Sequence, residues 1–413
     1  MATPLRSSTL FLSTLLSTAA FAEAPAADSK SDAEVQKALQ ADQQAQQAAQ
    51  PAAAPPAMSL GPRGTQSLNP DLSLIGDFAA AAFSDPAPPQ LGGHDPHGNG
   101  FQMQALEMTL GASVDPYLRM DTNIAFSING VEIEEAYATS LALPLNLQIR
   151  AGQFLNRFGR INTMHPHTWD FVDQPVVMGK FLGGDGNRGR GFETSALLSF
   201  VPWYTEVVVS AMSAGVPGED ERSFLGQSGK LVASPLDLLY MGALKQFFPI
   251  ADDVSLAWGL STLSGPNDFG LHGRTEIYGT DIYLKYRPVG EASSTIVSLT
   301  VEALIRRRHA LDGLNAELVD AGGYAQLFWR WAQEWGGAIR GDYVSGLSGD
   351  PLDSDWALAR SRVSASITFW PSEFSRVRLQ ANYDRPQADA VPPVTSVILA
   401  FEFAAGAHGA HQF

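Results

Sequence analysis

Between Leu72 and Phe403 the chain is a succession of short segments whose apolar residues fall on every second position. A strand patterned with period two rests one face on apolar surroundings and the other on water. From Leu118 to Ile128, the residues Leu118, Met120, Thr122, Ile124, Phe126 and Ile128 share one face, and Arg119, Asp121, Asn123, Ala125 and Ser127 share the other. From Val377 to Tyr383 the apolar set is Val377, Leu379, Ala381 and Tyr383, against Arg376, Arg378, Gln380, Asn382 and Asp384. A soluble sandwich also alternates, so three further features bear on the choice.

Arg6 precedes an uncharged run over residues 7–22 that ends in Ala20-Phe21-Ala22 with Glu23 following, the pattern of a secretory signal peptide. With no Cys in 413 residues, neither disulfides nor thiolate metal sites are available. No other segment offers the roughly 18 apolar residues that a membrane helix needs. An integral membrane protein with this sequence is therefore a closed barrel, because unpaired backbone groups do not face hydrocarbon. Composition agrees: charged residues make up 17%, against about 25% in globular chains, while the mean hydropathy of -0.05 is far from that of a helical membrane protein. The net charge of -16 argues against nucleic acid as a partner.

The third feature is rhythm. Strands are expected near 71–83, 101–115, 117–129, 131–143, 145–154, 191–201, 203–213, 236–247, 254–264, 275–287, 294–306, 322–333, 335–345, 356–370, 374–385 and 394–404. That makes sixteen, an even number; fourteen or eighteen also fit the pattern. Short connections, most with Pro or Asp (Asp115-Pro116, Pro144, Pro202, 249–253, 288–293, Glu334, 371–373), read as periplasmic turns. Longer polar, Gly-rich segments at 84–100, 155–190, 214–235, 265–274, 307–321, 346–355 and 386–393 read as outside loops, with Asn129-Gly130 the one tight hairpin on that side. Trp203, Trp331, Trp335, Trp370, Phe374 and Phe403 lie at or beside the short turns, where rings prefer the membrane interface. The expected fold class is all-β: a transmembrane antiparallel β-barrel of about 16 strands. Its domains read as a signal peptide (1–22), a low-complexity periplasmic leader (23–67), the barrel (68–404) and a His-containing tail (405–413). The leader, rich in Ala, Gln and Pro, is either disordered or a short helix formed between subunits.

Function is expected on the lumenal face and in the loops. The 155–190 segment carries Phe158, Trp169, Phe171 and Phe181, and a connection this long with apolar anchors folds against something. We expect it to enter the barrel as a constriction, with Arg157, Arg160, Trp169, Asp170, Asp173, Lys180, Arg188 and Arg190 as its functional residues. Across from it, Arg306, Arg330, Arg340, Arg360, Arg362, Arg376 and Arg378 fall on faces assigned inward. Such a column either favours anions, as charged rings at constrictions do, or solvates the lumen and pairs with Glu302, Asp342, Asp384 and Glu402.

Six of the eight His are paired in sequence: His94 with His97, His165 with His167, and His408 with His411. Two nearby imidazoles can share one Zn ion, so His94, His97, His165 and His167 form a candidate metal site, with Asp95 and Asp170 as oxygen donors. The alternative is that they are solvent-facing loop residues; His272 and His309 map to the same expected outer side.

Gly152-Gln153-Phe154 followed by Phe158-Gly159-Arg160 resembles the phosphate-selective porin superfamily. H-D-P-H before Gly100-Phe101, then F-G-R-I-N-T-M-H-P-H-T-W-D-F-V-D over 158–173 and the terminal H-G-A-H, resemble bacterial proteins labelled zinc-regulated outer-membrane receptors. The likeness covers about residues 68–413. It implies a porin-like barrel in the bacterial outer membrane, concerned with metal acquisition and, by the label, dependent on an inner-membrane energising protein of the TonB type. Roughly 340 barrel residues do not supply both a plug domain and a twenty-two-strand wall.

The expected function is a channel for passive diffusion of small solutes or ions, anion-preferring, homotrimeric and embedded in outer-membrane lipid. The alternative is a zinc-responsive receptor or metal uptake protein, with Zn as its only cofactor. No enzyme activity is expected, since no nucleophile motif such as G-x-S-x-G stands between a strand and a helix.

Overall fold

The computed structural model describes residues 70–406 apart from 87–88, 129, 215–231, 233, 268–272, 292–293, 310–316, 349–355 and 387–391. The expected signal peptide, the leader, Asn129, His272, His408 and His411 lie outside the described residues.

Sixteen strands form: β1 (Asp71–Phe83), β2 (Gly100–Ser113), β3 (Leu118–Ser127), β4 (Gly130–Ser140), β5 (Leu147–Leu155), β6 (Arg188–Leu197), β7 (Tyr204–Ala214), β8 (Leu239–Ala251), β9 (Val254–Pro266), β10 (Arg274–Tyr286), β11 (Ile296–His309), β12 (Glu317–Ala332), β13 (Trp335–Val344), β14 (Arg360–Ser372), β15 (Ser375–Pro386) and β16 (Val394–Gly406). Each pairs antiparallel with its sequence neighbours, and β1 pairs with β16 to close the barrel. Closure leaves no strand edge, which is what hydrocarbon demands. Two prolines read as turn residues lie inside strands: β8 includes Pro249 and β14 includes Pro371. The ladder slips register beside each, between Pro249 and Ala251 and between Phe369 and Ser372, so the missing N–H costs no ladder bond.

The alternation sorts by face. Leu379 is 49% exposed and Ile367 is 51% exposed, while Gln380 between the same strands is fully buried. A soluble protein with such an apolar belt would aggregate; in a bilayer the belt is the lipid contact. At the short-turn rim Trp203, Trp331, Trp335, Phe374 and Phe403 are all exposed. Trp370 departs from the expected girdle. Its ring meets Phe328 edge-on and lies beneath the Arg330 guanidinium, on the lumenal side of the rim.

The lumen is not uniformly polar. Val208 and Met212 on β7, Leu239 and Met241 on β8, Leu263 on β9, Ile277 on β10, Leu304 on β11 and Val344 on β13 are buried in one apolar cluster. Period two alone assigned apolar residues to lipid, yet Leu304 lies in this cluster while its neighbour Ile305 is 50% exposed. This inner patch is the seat of the 156–187 connection.

Candidate functional site: the connection inside the barrel

The connection between β5 and β6 leaves the wall early. β4 and β5 pair only from Ala136 to Thr139. Gly152 has φ +138°, where a Cβ would strike the Ala136 carbonyl oxygen, so glycine is required where β5 turns away. Beyond that point side chains replace the ladder, and Glu135 accepts the Leu155 N–H at 2.9 Å.

Phe158, Gly159 and Arg160 form the first anchor. Phe158 is fully buried against Gly279, where a Cβ would lie 2.7 Å from the ring. Gly159 N–H donates to Ser261 Oγ at 3.0 Å, and its carbonyl accepts from Lys245. Glu302, buried on β11, accepts the N–H groups of Arg160 at 3.1 Å and Ile161 at 2.9 Å and the Tyr324 hydroxyl at 2.6 Å. A helix, α1 (Val176–Leu182), follows, and all its residues are buried. Its Lys180 pairs with Asp320 at 2.9 Å and donates to the Ser345 carbonyl at 2.9 Å.

Asp173 is the second anchor. Its carboxylate accepts from Arg340 at 2.7 Å, Arg362 at 3.0 Å, Gln380 at 2.8 Å and Asn382 at 2.8 Å, across three strands. Burial opposes ionisation of Asp173, but the Arg340 and Arg362 charges outweigh it and hold the carboxyl below its usual range. Neighbouring Asp95 is pushed the other way, by burial and by the Asp173 charge. The Trp169 carbonyl accepts from Arg376 at 3.1 Å and Arg378 at 2.8 Å. Asp170, raised by burial against the surrounding arginines, accepts from Gln326 at 2.9 Å.

The arginine column is thus largely consumed in holding the loop and in pairing along the wall. Arg306 pairs with Asp320 at 2.6 Å, Arg360 with Asp384 at 2.6 Å, Arg362 with Asp384 at 2.7 Å and Arg376 with Glu402 at 2.6 Å. Arg340 also meets Asp342 at 2.9 Å. Arg330 stands apart at the short-turn rim, donating to the carbonyls of Ala332 and Gln333. Of the residues expected in the constriction, Arg157 pairs with Glu193 at 2.9 Å and Glu206 at 2.8 Å. Arg188 and Arg190 belong to β6 and not to the loop: Arg188 meets Glu132, and Arg190 is exposed beside Phe192.

A third anchor joins the histidines to glutamates that period-two reading left out. The ladder between β3 and β4 slips at Asn123, so both Glu134 and Glu135 are buried although consecutive. A bulge does this by adding one residue to one strand. A second slip, opposite Asp77, sits at Gln104 on β2, whose amide donates to the His94 carbonyl at 2.5 Å. His165 Nδ1 lies 3.2 Å from Glu107 and 3.6 Å from Glu134, and its Nε2 lies 3.1 Å from Glu135 and 2.8 Å from the Asn123 amide. His167 Nδ1 is 3.0 Å from Glu107, and His94 Nε2 is 2.8 Å from Glu134. Burial lowers the His94 pKa, but the hydrogen bond to Glu134 and the charges of Glu134, Asp185 and Glu107 raise it overall to about 9. His165 is likewise driven well above its usual value, against burial, by Glu107 and by hydrogen bonds to Glu134 and Glu135.

Three of the four expected metal-site histidines therefore converge. His97 does not; its ring Nε2 sits 2.9 Å from the Gly92 carbonyl. Nor do the expected oxygen donors: Asp95 accepts the N–H groups of Gly92 and Gln174, and Asp170 faces Gln326. The signal in the sequence was E-I-E-E over 132–135, where two adjacent carboxylates break the alternation.

A cavity of ≈ 200 Å³ lies on the short-turn side of the loop, lined by Arg160, Lys285, Tyr283, Asp170, Phe328 and Arg340 among others. Arg160 stacks on Tyr283 with its guanidinium carbon 3.6 Å from the ring centre.

Comparison with solved structures returns outer-membrane barrels. OprB of Pseudomonas putida matches with a TM-score of 0.55 at 11% identity, over 82% of this chain and 94% of that one. An anion-selective porin from Comamonas acidovorans matches at 0.54 and 9%, over 82% and 99%, and the outer-membrane channel DcaP of Acinetobacter baumannii at 0.53 and 12%, over 82% and 98%. At such identities the likeness is one of fold. The closed sixteen-strand wall with its apolar outer belt places the chain in a bacterial outer membrane as a porin-like barrel. No family model matches. An uncharacterized protein of Aquifex aeolicus (strain VF5) is 30% identical over 397 residues, spanning 86% of this chain and 82% of that protein. With that identity over most of both sequences, the chain belongs to the family of the Aquifex aeolicus protein.

Proposed function

We propose that the protein is a passive diffusion channel for small solutes with a preference for anions. The observation that carries this reading is the cavity beside the loop, where Arg160 and Lys285 present positive charge to the free volume. Arg306, Arg340, Arg360, Arg362 and Arg376 contribute little field there, because Asp320, Asp173, Asp384 and Glu402 neutralise them at ion-pair distance. The acids in the same wall are Asp170 and Asp173, and Asp173 is paired with Arg340 and Arg362. Selectivity in a narrow bore follows the charges that line its free volume, which shifts the expected selectivity residues from the arginine column to Arg160 and Lys285. The resemblance of Gly152-Gln153-Phe154 and Phe158-Gly159-Arg160 to phosphate-selective porins supports the same reading. Assembly as a homotrimer belongs to the proposal and is read from the mass of the purified complex in detergent.

Vesicles carrying the barrel and placed in isotonic small solutes test it. Anionic solutes are expected to enter faster than cationic ones of equal size. Equal rates contradict the anion preference, and exclusion of all small solutes contradicts the channel.

A further inference from the structure

The three-histidine, three-glutamate cluster between the loop and strands β2 and β4 has no role in the diffusion reading. One atom in it stands out. Glu107 is only 7% exposed, yet its Oε1 has no hydrogen-bond partner, although it lies 3.2 Å from His165 Nδ1. A buried carboxylate oxygen left in this state is costly unless something else meets it. One ligand atom each from Glu107, Glu134 and His165 lies within 4.8 Å of the other two, the spacing of donors around a single ion.

We propose that Glu107, Glu134 and His165 bind one divalent transition-metal ion that ties the loop to the barrel wall. The donor set is one imidazole nitrogen and two carboxylate oxygens, suited to ions that accept both nitrogen and oxygen ligands. The donors come from three separate elements: Glu107 from β2, Glu134 from the β4 bulge and His165 from the loop. An ion there joins the loop to strands β2 and β4, a part of the wall that the arginine anchors on β13, β14 and β15 do not reach. Outer partners are also in place. With Nδ1 on the ion, the His165 Nε2 faces Glu135 at 3.1 Å, and Glu135 is itself held by the Asn123 amide, which donates to it at 3.1 Å. Carboxylates in that position orient ligating imidazoles. Space exists beside the donors: a cavity of ≈ 40 Å³ is lined by His94, Glu134, Met164 and His165, enough for water to complete the coordination.

The test is calorimetric titration of the full chain, purified in detergent, with ZnCl2 and separately with MgCl2. It reads the site whether or not the barrel conducts. One Zn2+ per chain and no measurable Mg2+ binding are expected. Glu107→Gln and His165→Asn are each expected to weaken Zn2+ binding at least about 10-fold, while His97→Asn, outside the cluster, leaves it unchanged. Absence of stoichiometric Zn2+ binding by the native chain overturns the proposal, as does native affinity in Glu107→Gln. Equal loss in His97→Asn overturns it too. Should His165→Asn fail to form a heat-resistant barrel on gels, the near-isosteric Glu107→Gln decides the matter.

Discussion

Arg340 on β13 donates through Nη2 to Asp173 Oδ1 at 2.7 Å and through Nη1 to the Asp173 carbonyl at 2.9 Å, across 167 positions of sequence. The same arginine lies over Phe171, 4.5 Å from its ring centre. Guanidinium, carboxylate and ring together fix the midpoint of the loop against the wall, and the size of the lumen depends on that fixation.

Removing the acid should release the loop. Asp173→Ala leaves Arg340 and Arg362 buried without a shared partner, and breaking one side of a buried pair costs about 3–5 kcal/mol. Single-channel conductance should rise, while the barrel keeps its heat-resistant mobility on gels. Unchanged conductance would show that the loop is held without Asp173.

Acid should act through the same group. Because the Asp173 carboxyl is held below its usual range, its stabilising contribution is fully present above the unfolded-state value and is lost as pH falls through the depressed one. Arg340 and Arg362 face it and stay charged throughout, while Asp95, Asp342 and Asp384 are the other acids of the cluster. Conductance is expected to stay level from neutrality down to about pH 4, the ordinary Asp value, and to increase only below that. An increase between pH 7 and 5 would place control with another group.

Gly279→Leu fills the space under Phe158. The ring already lies 2.7 Å from where a Cβ would stand, so the side chain has no room without expelling Phe158. Overpacking of this kind costs about 1–3 kcal/mol. Limited trypsin digestion should then cut after Arg157 or Arg160, while the native chain is expected to resist there; continued resistance of the variant would mean that the seat can adapt.

The outer face gives a different test. Leu379→Arg puts a charge on the lipid belt, at a cost of about 2–4 kcal/mol near the bilayer midplane. Equilibrium refolding into lipid vesicles should show that loss, and native stability would mean that Leu379 does not face hydrocarbon.

Much of the wall was legible because its period is local. Val377, Leu379 and Tyr383 against Arg378, Gln380 and Asp384 specify a face within one strand, and Pro or Asp marks the short turns. The lumen was harder to read, for three physical reasons. A bulge shifts a side chain by one position, so Glu134 and Gln104 break the alternation that reveals the strands. Apolar residues such as Leu263 and Ile277 face inward because the loop, and not lipid, covers them. The arginine column was visible as a row, but Asp173, its neutralising partner, is supplied from far away in sequence. The loop's own apolar residues were the better guide: Phe158, Phe171 and Phe181 are almost wholly buried, and Trp169 is half-buried.

Reversal potential in a KCl gradient, recorded across a planar bilayer for the native barrel and for the Arg160→Glu, Lys285→Glu double variant, addresses the proposed channel most directly. The native barrel should reverse on the anion side and the double variant should move toward the cation side. A native barrel that passes no current, or a double variant that reverses at the native potential, would contradict a lumen whose selectivity is set beside the loop.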